Sequence, residues 1–79
     1  MEEFDYAFTI ECTRGEANLE KALIELSKNG IRNIKREDGM AIIFCNREDL
    51  EHYGSKIRTA SMIWSQRTGA RYIIGEGPT

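Results

Sequence analysis

Apolar and polar residues alternate with a period of two along residues 4–12. One side carries the larger apolar side chains, namely Phe4, Tyr6, Phe8, Ile10 and Cys12. The other side carries Asp5, Ala7, Thr9 and Glu11. Because successive side chains of a strand point to opposite faces, this pattern predicts a half-buried β-strand whose larger apolar set faces the core.

Two later segments repeat their apolar residues at the spacing of a helix. The first stripe consists of Leu19, Ala22, Leu23 and Leu26, and the second of Leu50, Tyr53, Ile57, Ala60 and Trp64. Residues 13–16 fit a capping box from Thr13 to Glu16, and Asn29-Gly30 ends the first helix. The second helix is expected to run from an Asn46 cap to about Arg67. Gly54 falls near its apolar side and predicts close packing there.

Three further strands are predicted, over residues 31–36, over the apolar run in DGMAIIFC (38–45) and over residues 70–75. The resulting order, β-α-β-β-α-β, resembles the ferredoxin-like, or split β-α-β, arrangement. That resemblance implies an α+β fold, in which a four-stranded antiparallel sheet carries two helices on one face. We expect a single domain over residues 1–75 and a short flexible tail over residues 76–79.

The Asp38-Gly39 turn sets the register of the hairpin between the second and third strands. If these two residues form the turn, Glu37 lies opposite Met40 and Ile34 lies opposite Ile43. Ile34 should point at the helices, and Ile43 then points the same way, together with Ala41 and Cys45. The side chains left on the open face form an apolar ridge of Met40, Ile42 and Phe44. A register slip of one residue would move this ridge into the core.

The composition of the chain limits the classes of function that we expect for it. Hydrophobic residues make up 41% of the chain, charged residues 30%, and the net charge of −2 gives no global field that attracts nucleic acid. The acidic N-terminus lacks an apolar signal segment, and the longest apolar run has six residues. We therefore expect a soluble protein of the reducing cytoplasm, with no membrane segment.

The chemistry-bearing residues are few and lie far apart in the sequence. Cys12 and Cys45 belong to no C-x-x-C motif, and they end antiparallel strands at opposite ends of the predicted sheet. His52 stands alone on a helix. Acylphosphatases share the fold, and Arg14-Gly15 lies in a comparable loop, but the anion-cradling loop typical of that family is missing. We expect no catalysis, no cofactor and no metal.

DGMAIIFC also resembles the octapeptide of the RNA-recognition motif, K/R-G-F/Y-G/A-F-V-x-F/Y. Gly39, Ala41 and Ile43 match it, whereas Met40 and Ile42 stand where that family has stacking aromatic residues. The resemblance implies binding of single-stranded RNA or DNA as an alternative function. The residues that would serve it are Phe44, Tyr72, Lys35, Arg32, Arg36 and Arg71.

The leading hypothesis is a non-enzymatic regulatory module that docks a protein partner, or a second copy of itself, through the open sheet face. Its interface residues would be Met40, Ile42, Phe44, Lys35, Asn33, Asp5 and Glu11. Met62 and Arg58 on the second helix form a second candidate surface. In its small size and mild acidity, the chain resembles phage-encoded inhibitors of host enzymes, such as anti-CRISPR proteins. Whether the fourth strand presents Tyr72 or Ile73 on the open face stays undecided from the sequence.

Overall fold

A computed structural model describes residues 3–79 of the chain. Its elements are β1 (Tyr6–Cys12), α1 (Glu16–Lys28), β2 (Ile34–Glu37), β3 (Met40–Cys45), a 3-10 turn (Arg47–Asp49), α2 (Leu50–Thr68) and β4 (Tyr72–Pro78). The strands form one antiparallel sheet in the order β2-β3-β1-β4. The predicted ferredoxin-like α+β fold is confirmed. Met1 and Glu2, which the predicted domain includes, lie outside the described residues.

One hydrophobic core lies between the sheet and the two helices. Its largest fully buried side chains include Phe8 and Ile10 on β1, Ile43 on β3, Leu19 and Leu26 on α1, and Ile57 on α2. Both helices thus pack on the same face of the sheet, as predicted. Gly54 is buried in α2, and a Cβ there would come within 3.4 Å of Phe8 Cζ, so its missing side chain lets α2 approach the sheet closely.

The two predicted side-chain caps are wrong. Gly15, not Thr13, precedes α1, and no side chain caps that helix. The Thr13 amide instead donates to the Arg71 carbonyl at 3.1 Å, which holds Thr13 in the strand ladder and away from the helix end. Asn46 makes no side-chain cap either. Asp5 replaces it, because its Oδ1 accepts a hydrogen bond of 2.8 Å from the Arg47 amide.

The bounds of the first, second and fourth strands also differ from the prediction, and the first begins at Tyr6 and the fourth at Tyr72. The second strand begins at Ile34 and not at residue 31, since Ile31 is buried in the core and Asn33 adopts a left-handed φ of 63°. The fourth strand continues past residue 75 to Pro78, which pairs with Tyr6. The Thr79 amide then donates to the Asp5 carbonyl at 3.3 Å. Residues 76–78 therefore belong to the sheet and do not form the expected tail.

Gly30 ends α1 as the sequence predicts, and Gly69 ends α2 in the same way. Gly30 and Gly69 have φ values of 85° and 72°, in the left-handed region that ends a helix at little cost.

Among residues 3–79, neither α1 nor α2 is both long enough and apolar enough to span a membrane.

Candidate binding face

Three rows of side chains cross the open face of the sheet, from β2 to β4. The hairpin register is the predicted one, with Glu37 opposite Met40 and Ile34 opposite Ile43. The pairings of β1 with β3 and with β4 extend this register across the sheet. The first row then consists of Glu37, Met40, Glu11 and Ile73. The second row is Lys35, Ile42, Thr9 and Gly75, and the third is Phe44, Ala7 and Gly77.

The apolar ridge of Met40, Ile42 and Phe44 lies on β3, near the middle of this face. All three side chains are half-buried, whereas the alternating residues of the same strand, Ala41, Ile43 and Cys45, are buried in the core. Alternation in β3 is therefore complete, and the ridge lies on the face that the hairpin register predicts. Its position on an inner strand, with β2 on one side and β1 on the other, fixes its backbone.

Phe4 extends the ridge at one end, contrary to the expected inward position. Its ring centroid lies 6.2 Å from that of Phe44, with the two planes tilted by 31°. Strict alternation holds only from Tyr6 onward, because strand β1 starts there and Asp5 bonds to the Arg47 amide. Phe4 thus leaves the pattern that places Phe8 and Ile10 in the core.

A shallow trough lies beside the ridge, formed by Ala7 and Thr9 of β1 with Gly75 and Gly77 of β4. A Cβ at Gly77 would meet nothing within 4 Å, so the surface above it is open. A Cβ at Gly75 would lie 2.8 Å from Thr9 Oγ1, so the threonine hydroxyl occupies that space. The trough was missed in the sequence because Gly77 was assigned to a tail. The signal that could have shown it is the two-residue spacing of Ile73, Gly75 and Gly77.

Strand β4 presents Ile73 on the open face and turns Tyr72 toward the helices. Ile73 pairs with Glu11 and is 50% exposed. Tyr72 pairs with Cys12 and packs against the core, where its hydroxyl donates a hydrogen bond of 2.6 Å to the Asn18 carbonyl. Burial is the main cause that raises the pKa of Tyr72 above its ordinary value. Ile73 therefore adds to the apolar surface, and Tyr72 is not available there.

The charged groups of the face lie at its edges. Lys35 and Glu37 of the edge strand β2 form an exposed ion pair of 3.4 Å, and Glu11 is exposed between Met40 and Ile73. Asp5 lies outside the three rows, and its Oδ1 accepts the hydrogen bond from the Arg47 amide. Asn33 lies at the start of β2, where its carbonyl accepts a 3.1 Å hydrogen bond from the Phe44 amide.

The residues named for nucleic-acid binding do not come together. Arg36 pairs with Ala41 and forms an ion pair with Glu20 of α1, which places it on the helix side of the sheet. Tyr72 faces the helices too. Arg32 is exposed in the loop before β2, and Arg71 is exposed before β4. Of the six residues, Phe44 and Lys35 lie in the rows of the open face.

The second candidate surface, on α2, is exposed as expected. Met62 is 58% exposed, and Arg58, one turn earlier, forms an exposed ion pair of 3.4 Å with Glu76. A further apolar site was missed in the sequence. Ile24 of α1 is 50% exposed and lines a groove of about 430 Å³ with Leu23 and Ile34. Ile24 falls beside the stripe that the helical period assigns to the core.

Groups that could carry chemistry are dispersed. Within residues 3–79, no three His, Cys, Asp or Glu side chains form a group that could hold a metal ion. Cys12 and Cys45 are free thiols, and Cys45 pairs with Tyr6 at the opposite end of β1 from Cys12. Burial, and to a smaller extent the carboxylates of Asp49, Asp5 and Glu76, raise the pKa of Cys45. A raised pKa keeps this thiol protonated and unreactive at neutral pH.

No known protein family matches this chain, and no curated protein or solved structure matches it significantly. Topology and the geometry of the surface are therefore what bear on its function.

Proposed function

We propose that this protein is a non-enzymatic binding module that docks a protein partner on the open face of its sheet. The observation that carries the proposal is the ridge of Met40, Ile42 and Phe44, which lies uncapped by the helices because both pack on the opposite face. Lys35 and Glu37 border the ridge on β2, and Glu11 on β1 separates it from the exposed Ile73 of β4. Apolar surface with a charged rim is typical of protein interaction sites.

The rigidity of the ridge favours binding. Its residues sit on β3, which is hydrogen-bonded on both sides, so little backbone order has to be gained when a partner arrives. Covering about 200 Å² of apolar surface would contribute roughly 5 kcal/mol before the costs of association. The methionine side chain can adjust its shape to the partner. The rim charges would then select orientation and exclude wrong partners.

The charge distribution favours a protein over a nucleic acid. Glu11 and Glu37 lie in the same row as Met40, and Lys35 is already paired with Glu37. Carboxylates on the surface would repel a phosphate backbone, and binding of nucleic acid depends largely on cations. The aromatic stacking that an RNA-recognition motif needs would rest on Phe44 alone among the residues of the three rows.

A phage-type inhibitor that covers a site on a larger host enzyme is the specific form of this function that we propose. Its support is the small, mildly acidic chain with a net charge of −2, together with a contact face whose ridge lies on an inner strand. Such a module would act by steric blockage and would need no reactive group of its own.

The test compares capture of cellular proteins by immobilised wild type, Phe44→Asp and the matched control Met62→Asp, in lysate with and without nuclease treatment. Met62 is more exposed than Phe44 but lies on α2, so its variant introduces the same charge away from the face. We expect a partner that wild type and Met62→Asp retain and that Phe44→Asp loses by at least tenfold. Ile42→Ser repeats the test without a charge, and thermal unfolding of each variant confirms that it is folded.

Two results would contradict the proposal. Equal capture by all four proteins would show that the open face contacts nothing in the lysate. A partner lost after nuclease treatment would instead assign the face to nucleic acid, and its affinity should then fall steeply with salt.

A further inference from the structure

We propose that two copies of this chain pair through the edge of β4, so that their two four-stranded sheets join into one continuous antiparallel sheet. The two-fold axis would stand perpendicular to the sheet, beside Ile74 at the centre of the paired edges. Such an axis keeps both open faces on the same side of the joined sheet and leaves them uncovered. The inference therefore concerns a different surface and does not rest on the proposed function.

The two edge strands of the sheet differ in how well they are protected against pairing. Edge strands are commonly blunted by short length, by charged side chains and by proline. Strand β2 has four residues, and three of them, Lys35, Arg36 and Glu37, are charged. Strand β4 has seven residues, with Glu76 as its single charged residue, and its one proline is the last residue. Of the two, β4 has the edge that can accept another strand.

The backbone groups of Tyr72, Ile74 and Glu76 point away from β1, and within residues 3–79 no strand lies beyond β4. On the inner side, the Arg71 carbonyl accepts a hydrogen bond of 3.1 Å from the Thr13 amide, and the register of β1 and β4 continues without a bulge. Alternate residues of a strand turn their amide and carbonyl groups to the same side. The odd-numbered residues of β4 therefore bond to β1, and the even-numbered ones face outward. Three outward residues on each copy allow about six main-chain hydrogen bonds between the copies.

The edge is self-complementary in shape when the pairing is centred on Ile74. Ile74 then meets the partner's Ile74 on the helix side of the sheet. On the open side, Ile73, which is 50% exposed, lies opposite the partner's Gly75. This second pair shares no hydrogen bonds, and the backbones approach most closely at such pairs. The missing side chain of Gly75 thus leaves room for an isoleucine, in both directions.

The charges of the edge select the same register. Tyr72 lies opposite the partner's Glu76, and each Glu76 carboxylate keeps its ion pair of 3.4 Å with Arg58 of its own chain. A shift of the axis by one residue would place Glu76 opposite the partner's Ile74 or the partner's Ala70, both apolar. No two like charges oppose each other on the paired strands in the proposed register.

Met62 on α2 gives an independent reason for this axis. Strands β3 and β4 are both antiparallel to β1, so α2, which connects them, runs back along β4. Arg58 lies level with Glu76, to which it is bonded. One helical turn of about 6 Å leads from Arg58 to Met62, and two strand residues, about 6.6 Å, lead from Glu76 back to Ile74. Met62 is therefore level with the axis, on the same side of α2 as Arg58.

The helix layer would continue across the joined edges at its normal spacing. Two helices cover four strands in each copy, so neighbouring helix axes lie about 9.6 Å apart, twice the strand spacing. The same spacing across the axis falls within the range of about 8–10 Å for packed helices. The two α2 helices would then be in contact, with Met62 against the partner's Met62. This side chain is 58% exposed in the single chain, so pairing covers apolar surface.

The size of the paired edges predicts a weak, reversible dimer. Seven strand residues span about 23 Å, and the sheet and helix layers together are about 20 Å deep. Each copy would therefore bury roughly 450 Å², and the total for two copies is typical of transient complexes. The main-chain hydrogen bonds add affinity and fix the direction, as they do when a peptide strand joins a sheet. We expect a dissociation constant on the order of 100 µM.

Sedimentation equilibrium of the full chain, from about 10 µM to 1 mM, tests the axis through Met62, which would face itself. Met62→Asp and Met62→Lys each bring two like charges together, so either variant alone should dimerise at least tenfold more weakly than wild type. An equimolar mixture of the two should regain the dimer, because opposite charges then meet. The matched controls are Ile24→Asp, at an exposed isoleucine beside β2, and Phe44→Asp on the open face, and both should dimerise like wild type.

Two substitutions at Glu76 test the pairing of the strands. Glu76→Ala and Glu76→Pro both remove the ion pair with Arg58, but the proline also lacks the outward amide donor. Proline is tolerated on an edge strand where its missing N–H faces solvent, so both variants should fold, which thermal unfolding checks. We expect Glu76→Pro to dimerise at least tenfold more weakly than Glu76→Ala.

A wild type that stays monomeric at about 1 mM would overturn the inference, as would a dimer that Met62→Asp and Glu76→Pro leave unchanged. A dimer lost in Ile24→Asp or Phe44→Asp would assign the contact to the edge of β2 or to the open face instead. A mixture of the two Met62 variants that stays monomeric would overturn this axis. These results are distinguishable from failure of the proposed function, because a monomer has a complete open face and Met62→Asp should still capture a partner there.

Discussion

Neighbouring isoleucines on β3 should differ sharply in their contribution to stability. Ile43 is fully buried in the core, whereas Ile42 lies half-buried on the open face. The substitutions Ile43→Ala and Ile42→Ala remove the same atoms from the same strand, so each loses the same strand propensity. Their difference in the free energy of unfolding therefore reports the environment of the side chain alone.

The expected magnitudes follow from burial. Ile43→Ala removes a fully packed side chain and leaves a cavity, at a cost of about 3–4 kcal/mol. Ile42→Ala should cost about 1 kcal/mol, from lost strand propensity and partial burial. A chain of 79 residues is stable by roughly 4–12 kcal/mol, so the first variant retains little margin. If Ile43→Ala does not fold, the matched pair Ile43→Val and Ile42→Val replaces it, with about 1 kcal/mol expected at position 43 and less at position 42.

Urea unfolding measures both values at about 5 µM protein, where self-association is negligible. With a slope of about 1 kcal/mol per M, the midpoint should fall by roughly 3 M for Ile43→Ala and by roughly 1 M for Ile42→Ala. Equal losses, or a larger loss at Ile42, would refute the register on which the ridge depends. An unchanged slope confirms that the variants alter stability and not the unfolded state.

Two further predictions concern buried polar groups. Ser61 is buried in α2, and its Oγ finds no hydrogen-bond partner among residues 3–79, so Ser61→Ala should raise the free energy of unfolding by about 1 kcal/mol in urea titrations. A loss of similar size would show that the hydroxyl is satisfied. The raised pKa values of Cys45, Tyr6 and Tyr72 predict that the stability these three groups contribute is fully present below about pH 9 and is lost above it, because the groups release their protons at lower pH in the unfolded chain. Stability that rises between pH 9 and 10.5 would contradict this sign, and Cys45→Ala should lessen the slope.

The order of the elements and the face of each strand could be predicted because local rules determine them. The Asp38-Gly39 turn sets the register of β2 and β3, and the packing of Ile34 and Ile43 against the core then assigns the ridge to the open side. The helical stripes identify α1 and α2 by the same kind of periodic argument. These features depend on residues that are neighbours in the sequence or directly paired across a short turn.

The features that the sequence did not reveal depend on distant partners. Threonine often caps helices, but Thr13 is hydrogen-bonded to Arg71 across the sheet, and this contact prevents it from capping α1. Asp5 takes the role expected of Asn46, from 42 residues away along the chain. The trough depends on the pairing of β1 with residues 75–78, and a Gly-Glu-Gly-Pro segment alone is typical of a loop.

The hydrogen bonds of Thr79 place both ends of the described chain side by side. Its hydroxyl donates to the Phe4 carbonyl at 2.6 Å and its amide to the Asp5 carbonyl, at the same end of the sheet as Phe44. A short linker between residues 79 and 4 could therefore close the chain into a ring, and the exposed Asp38-Gly39 turn offers a place to reopen it. Such a circular permutant would leave the register of β2 and β3 to side-chain packing alone, without the turn, and would move the new chain ends to the opposite end of the ridge, beside Met40.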